Sequence, residues 1–314
     1  MTDVRLALRV AVTGHRPGPA RTVDPAVIRP AAARLLRGMA AAAAALHADL
    51  IAARTPLVSA EPPDLRLAAA IAEGADTIVA DAALEAGFAL DLVLPFPAED
   101  YARDFDGPAL ADFRRLHDHP RAGSRLVMDL PTGGERAVAY QRAGVQLLAL
   151  SDVLLTVLDE DWPGEAEGAP RPLTPARRTT GGTADVTDAA RRLGLLVVRI
   201  DLRGEAALWS PADGAPDPAA DGTWTPLGED PGPLKERLRA LLAPPADARW
   251  RPSRRRRASR RPTPPRRSTA ASPPPTRRPG ATLRAIASPT GRTSCWRRWW
   301  CRWRCRATPA RRSP

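Results

Sequence analysis

Two short apolar runs, Val153 to Leu158 and Leu195 to Ile200, restrict the fold more than any other feature of the chain. Each is rich in β-branched residues and too short for a core helix, so each reads as a buried strand. Between them, over Thr183 to Leu193, Val186, Ala189, Ala190 and Leu193 recur on one helical face. Strand, helix and strand in that order form a βαβ unit with a right-handed crossover, which makes the two strands parallel. The loop between the first strand and the helix runs to roughly twenty residues, a length that compact domains mostly reserve for function. It ends in Thr179-Thr180-Gly181-Gly182-Thr183. Glycines let a backbone approach a ligand closely, and the N–H groups of a helix start favour an anion, so the segment suits a phosphate. On the plainer reading Gly181-Gly182 turns the chain and Thr183 caps the helix.

The chain before this unit alternates in the same way. Leu6 to Val12 reads as a strand that runs into Thr13-Gly14-His15-Arg16-Pro17-Gly18. Ligands of open α/β sheets sit beyond the carboxyl ends of the strands. There Arg16 would offer paired hydrogen bonds and His15 a neutral donor or a titratable group. Alternatively the segment is a turn with a solvated arginine and a packed histidine. Asp24-Pro25 opens a long amphipathic helix to about Arg54, with Leu35, Met39, Ala42, Leu46 and Leu50 as its apolar stripe. His47 beside the stripe reads as a packing residue.

Leu65 to Ile71 is an alanine-rich strand candidate, followed by Ala72-Glu73-Gly74-Ala75-Asp76 and a helix through Ile78, Val79, Ala82, Ala83 and Ala86 that ends at Gly87. Glu73 and Asp76 are either helix-start charges or acceptors for ribose hydroxyls. Leu90 to Leu94 is the third strand. Phe96, Tyr101 and Phe105 after it line a base pocket or pack the connection onto the sheet. His117 and His119, two residues apart, face different sides of a helix and do not suggest a metal site.

Leu126 to Leu130 reads as a short strand before Pro131-Thr132-Gly133-Gly134, and Val138, Gln141, Val145 and Leu148 mark the next helix. Asp159-Glu160-Asp161-Trp162 follows the fifth strand, with Trp162 placed to stack on a base or cover the sheet. After Asp201, residues 202 to 233 are rich in Gly, Pro and Asp and read as irregular, with Trp209 and Trp224 as anchors. Pro233 to Leu242 is a short helix carrying Lys235.

The formal net charge of +12 conceals a sharp division. Residues 249 to 314 hold 21 arginines and no Asp, Glu or Lys, while the remainder carries 26 basic and 35 acidic residues, a net −9. Cys295, Cys301 and Cys305 all lie in that tail, so no disulfide or thiolate-metal scaffold holds the body. The tail buries too little apolar surface to fold and is expected to be disordered. It reads either as a nucleic-acid arm, with Trp296, Trp299, Trp300 and Trp303 as stacking platforms, or as an altered reading frame of a GC-rich gene. The N-terminus lacks the pattern of a signal peptide, and the alanine-rich stretch from Met39 is interrupted by His47 and Asp49 and stops at Arg54. A cytoplasmic location and no membrane association are expected. The domain organisation expected is 1–204 for ligand binding, 205–248 as an irregular extension with a short helix, and 249–314 as the tail.

Taken together, Val12-Thr13-Gly14-His15-Arg16, Ala72-Glu73-Gly74-Ala75-Asp76, Leu94-Pro95-Phe96-Pro97 with Tyr101 and Asp104-Phe105, Ser151-Asp152-Val153 and Gly181-Gly182-Thr183-Ala184-Asp185 resemble the SLOG superfamily. That group unites the DprA/Smf proteins and the LOG, or lysine-decarboxylase-like, proteins. The resemblance covers about residues 5 to 202 and is nearest to bacterial members of stress and conflict systems. It implies a Rossmann-like, doubly wound α/β fold with a mainly parallel sheet that binds or senses a nucleotide-derived ligand. In LOG enzymes a Pro-Gly-Gly-x-Gly-Thr-x-Glu loop holds the phosphate and its Glu assists cleavage of an N-glycosidic bond. Gly182-Thr183 matches the Gly-Thr step and Asp185 falls at the Glu, whereas Arg178-Thr179-Thr180 replaces Pro-Gly-Gly.

The expected ligand-binding residues are therefore Thr13, Gly14, His15, Arg16, Glu73, Gly74, Asp76, Asp159, Gly181, Gly182 and Thr183. Asp185 and Glu73 become catalytic if the chain is a hydrolase of nucleotide N-glycosidic bonds. A third class is nucleic-acid binding through the tail. No metal or cofactor is expected.

Overall fold

The computed structural model describes residues 3–18, 22–55, 58–128, 136–159 and 182–244. The readings placed on Pro131 to Gly134, Trp162, Gly181 and the tail lie outside these residues. Eight strands form one sheet: β1 (Ala7–Gly14), β2 (Asp64–Ala69), β3 (Ala89–Leu94), β4 (Ala122–Val127), β5 (Val153–Val157), β6 (Leu196–Ile200), β7 (Ala206–Pro211) and β8 (Gly222–Leu227). Their order is β4-β3-β2-β1-β5-β6-β7-β8. The first six run parallel and the last two add antiparallel. The expected mainly parallel, doubly wound α/β sheet is thus the one observed.

The helices are α1 (Pro25–Ala52), α2 (Ala75–Glu85), α3 (Ala98–Tyr101), α4 (Gly107–His117), α5 (Arg136–Ala149), α6 (Thr183–Arg192) and α7 (Gly232–Leu242). Side chains alternate across a strand, so each strand feeds two cores. Leu8, Val10 and Val12 of β1 join Leu67, Leu92 and Leu155 beneath α1, α2, α4 and α7. Ala11, Ala68, Val93, Leu154 and Val197 face the other way, under α5 and α6.

At the start of α1 the Asp24 side chain accepts from the Ala26 N–H at 2.8 Å and Pro25 takes the first turn, as the sequence foretells. Its end is a Schellman turn. Thr55 N–H donates to Leu50 O and Arg54 N–H to Ile51 O, with Arg54 at φ 51°. By length and composition α1 could span a bilayer, but Ile28, Leu35, Leu36 and Met39 are buried in the core, as in any central helix. Leu234 and Leu238 of α7 pack against it, and Arg239 pairs with Asp49 at 2.6 Å.

Three strands depart from the sequence reading. β4 starts four residues before the expected Leu126, because it is an exposed edge strand with no apolar run to mark it. It is tied to β3 by the Ser124 hydroxyl, which donates to Asp91 at 2.7 Å. The segment read as irregular after Asp201 contains β7 and β8. Its Gly, Pro and Asp residues are concentrated in the connection, while Trp209 and Trp224 meet edge to face across the two strands at 5.2 Å. Arg191 of α6 lies 4.0 Å from the Trp209 ring and joins this hairpin to the second core.

β1 and β5 are fastened at their amino ends by Asp152. Its carboxylate accepts from the Arg9 N–H at 3.1 Å, and its own N–H donates to Arg9 O at 2.8 Å.

Candidate functional site

The strand order reverses between β1 and β5, and at such a switch point the two connections leave on opposite faces and open a crevice at the carboxyl edge. Here the turn after β1 meets the ends of β5 and β2. His15 N–H donates to Val157 O at 3.1 Å, and His15 O accepts from the first N–H of α2, that of Ala75, at 3.2 Å. The Asp159 N–H points at His15 Nε2 at 3.3 Å. His15 and Asp159 are therefore brought together at the ends of β1 and β5.

On the β5 side, Thr13 stands beside Thr156 in register, and the Thr156 and Thr187 hydroxyls are 2.9 Å apart. Thr187 also donates to Thr183 O at 2.8 Å, which anchors the first turn of α6 over the end of β5. Gly182, not Thr183, is the N-cap, with φ −74° and ψ 172°, and as a glycine it offers no side chain to cap this helix start. The reading of Thr183 as the cap is corrected accordingly: Thr183 is the first helical residue, and its N–H belongs to the uncapped set. Asp185 lies in the same turn and is half-buried.

On the β2 side the glycines serve packing, which revises their role. A Cβ on Gly14 would stand 2.3 Å from Ala75 Cβ and 2.9 Å from Val157 Cβ. Gly14 therefore lets α2 seat against β1 and β5, and its close approach is to protein. Gly74, at φ 93°, would meet Pro17 Cδ at 2.7 Å and His15 O at 2.9 Å in the same way. Ile71, buried and at φ 50°, holds a backbone conformation that a β-branched residue rarely adopts, so strain is concentrated in this turn.

Glu73 is exposed at the rim. Asp76 is not, contrary to its expected place facing ribose. Only 6 % of it is exposed, and it accepts from the Ala72 N–H at 3.4 Å. Burial pushes its carboxyl up to about 7, against the opposing pull of the Ala72 N–H and the Arg16 charge.

Arg16 is itself exposed and reaches toward the segment after β3. Its Nη2 is 3.4 Å from the Tyr101 hydroxyl, and its guanidinium lies 5.4 Å from the Tyr140 ring and 5.8 Å from that of Phe105. Its desolvation would lower its pKa, but Tyr101, Tyr140 and Asp76 outweigh this and raise it, so it stays cationic. Burial likewise drives the Tyr101 phenol well above its ordinary value, and burial and the Asp104 hydrogen bond raise that of Tyr140.

Phe96, Tyr101 and Phe105 are buried and pack on Phe113 and one another. They form the wall behind Arg16, and the base-pocket reading gives way to the packing one. Asp104 accepts from Tyr140 and from Arg136 of α5, and Arg136 covers the Phe96 ring at 3.8 Å.

Sequence reasoning passed over Tyr140 as a site residue. Its rarity was the available signal, since the chain has two tyrosines and both meet at Arg16. Among the described residues no group of three His, Cys, Asp or Glu side chains is placed to hold a metal.

No protein-family model matches the sequence. No curated protein matches it either. Among solved structures, DNA processing protein A (DprA) from Streptococcus pneumoniae is similar over 68 % of this chain and 54 % of that one, at 17 % identity and a TM-score of 0.35. The protein TM1055 is similar over 48 % of this chain and 60 % of its own, at 15 % identity and a TM-score of 0.25. This chain thus spans little more than half the length of either.

Proposed function

We propose that the chain binds a nucleotide or nucleotide-derived ligand at the carboxyl edge of its parallel sheet, with phosphate held between the start of α6 and the turn Thr13 to Arg16. The observation that supports this reading is the switch point itself: β1 and β5 part there, the turn after β1 carries the exposed Arg16 beside the Tyr101 hydroxyl, and α6, which follows β5, begins with Gly182 as its N-cap. The N–H groups at Gly182 and Thr183 and the side chains of His15 and Arg16 supply the donors. Glu73, exposed at the rim, is available to ribose hydroxyls. Binding is favoured over hydrolysis because the carboxyl whose ionisation is displaced, Asp76, is turned inward, away from a sugar in the mouth.

The test is thermal unfolding and calorimetric titration of the full chain with AMP, ADP and NAD, with released base assayed in parallel. A ligand at a hundred times its Kd adds about 2.7 kcal/mol, which raises Tm by roughly 5 to 10 °C in a body of this size. Thr183→Pro removes one N–H at a position where helices tolerate proline, after a residue whose ψ of 172° suits it. It should weaken binding about tenfold with Tm of the free protein unchanged. Failure of all three nucleotides to bind, or binding indifferent to Thr183→Pro, refutes the proposal. Release of free base would instead establish the hydrolase, with Asp185 and Glu73 as its carboxylates.

A further inference from the structure

We infer that a second ligand site lies between α1 and the β7–β8 hairpin, apart from the edge where β1 and β5 part, and that it takes a small organic carboxylate with an apolar body, received by Arg34. A cleft of about 510 Å³ opens there, within the size range of small-molecule sites. Its place follows from one stripe of α1. Val27, Arg34 and Gly38 are spaced by seven and four residues and so share a helical face. At one end of the stripe Val27 seats the turn between β6 and β7, where a Cβ on Gly204 would come within 3.0 Å of Val27 Cγ1. At the other end Gly38 seats the entry to α7, since a Cβ on it would stand 3.0 Å from Pro231 Cγ. Arg34 sits between these two contacts and lines the cleft.

The Arg34 side chain is 31 % exposed, yet its Nε is buried and has no hydrogen-bond partner among the described residues. A buried donor left unsatisfied costs free energy that an arriving acceptor recovers. The group that approaches this guanidinium from within the chain is already a carboxylate, with Glu229 Oε1 at 4.0 Å from Nη1. Glu229 is 99 % exposed, so the contact is loose and solvent-screened. A ligand carboxylate, with two oxygens matched to the planar guanidinium fork, can displace it. The walls suit an apolar body. Ala206, Ala207 and Leu227 are buried along them, and Trp224 is half-buried. Arg199 brings a second guanidinium to the cleft, 4.7 Å from the Trp224 ring, and the remaining acid, Glu205, is exposed.

Calorimetric titration of the full chain with hydrocinnamate tests the site, with its uncharged amide and inorganic phosphate as comparisons. The carboxylate should bind with Kd on the order of 1 mM or tighter, the range open to so small a ligand, and the amide and phosphate about tenfold more weakly. Arg34→Gln should weaken the carboxylate about tenfold or more. Glu229→Gln changes a fully exposed side chain and leaves folding intact. It should tighten hydrocinnamate about twofold to fivefold by removing the competing acid. Thr183→Pro, at the other site, should leave hydrocinnamate binding unchanged.

No saturable binding of hydrocinnamate below about 10 mM, equal affinity for the amide, or preference for phosphate overturns the site. So does affinity indifferent to Arg34→Gln or weakened by Glu229→Gln. A loss with Thr183→Pro as large as that with Arg34→Gln would place the carboxylate at the edge between β1 and β5 and refute a second site. Nucleotides and hydrocinnamate report on separate places, so either reading can fail without the other.

Discussion

Replacing Gly14 by alanine should destabilise the fold by about 4 kcal/mol, although the substitution adds a single methyl group. The new carbon would lie 2.3 Å from Ala75 Cβ and 2.9 Å from Val157 Cβ. Carbons in contact rest about 3.5 to 4.0 Å apart, so the shortfall exceeds an ångström at Ala75. Both neighbours are Cβ atoms fixed to backbone, with no rotamer to change. The first turn of α2 must therefore retreat from β1, which places the cost at the upper end of the roughly 1 to 3 kcal/mol typical of overpacking. The same retreat stretches the 3.2 Å bond from the Ala75 N–H to His15 O, worth about 1 kcal/mol more. Urea unfolding of the full chain reads this directly, as a midpoint lowered by about 1 to 2 M. Ala75→Gly in the same background removes the shorter contact and should recover about half of the loss. If Gly14→Ala unfolds within about 0.5 kcal/mol of wild type, the packing role is refuted and Gly14 returns to the ligand.

Asp76 gives stability its own pH dependence. Its folded value of about 7 lies above the unfolded value of about 3.9, so the native state holds the proton more tightly. The stabilisation is complete below about pH 4 and is lost as pH rises through 7, on the order of 4 kcal/mol in all. Urea unfolding at pH 5 and pH 8 should show wild type losing much more than Asp76→Asn over that interval, and equal losses would sink the assignment. At the end of α1, Arg54 occupies a left-handed conformation on an exposed turn. Arg54→Gly should stabilise the protein by about 1 kcal/mol, seen as a higher urea midpoint, and a lower one would refute it.

The βαβ unit around β5 and β6 was readable because both strands are buried on both faces, and such strands carry uninterrupted apolar runs. α1 announced itself through Asp24 and Pro25. β4 could not, since an exposed edge strand has no reason to be apolar, and β7 and β8 were obscured by the composition of the turn between them. The carboxyl edge itself was legible from topology, since Thr13 to Arg16 end and follow β1, Asp159 follows β5 and Gly182 opens α6. The roles within it were less so. A glycine that admits a helix and one that admits a phosphate look alike in sequence, and Gly14 and Gly74 prove to be the former kind. Whether an acid at a helix start faces solvent or the interior depends on what covers it, and nothing in the residues around Asp76 showed that it would be buried.

The double fastening of β1 to β5 has a consequence for how such a molecule can vary. Asp152 pins the pair at one end and His15 at the other, so neither strand can slide to widen or narrow the gap above them. Adaptation to a differently shaped guest must therefore come from the turns and helix starts that rim the opening. Those can be exchanged while the frame that aims them stays put.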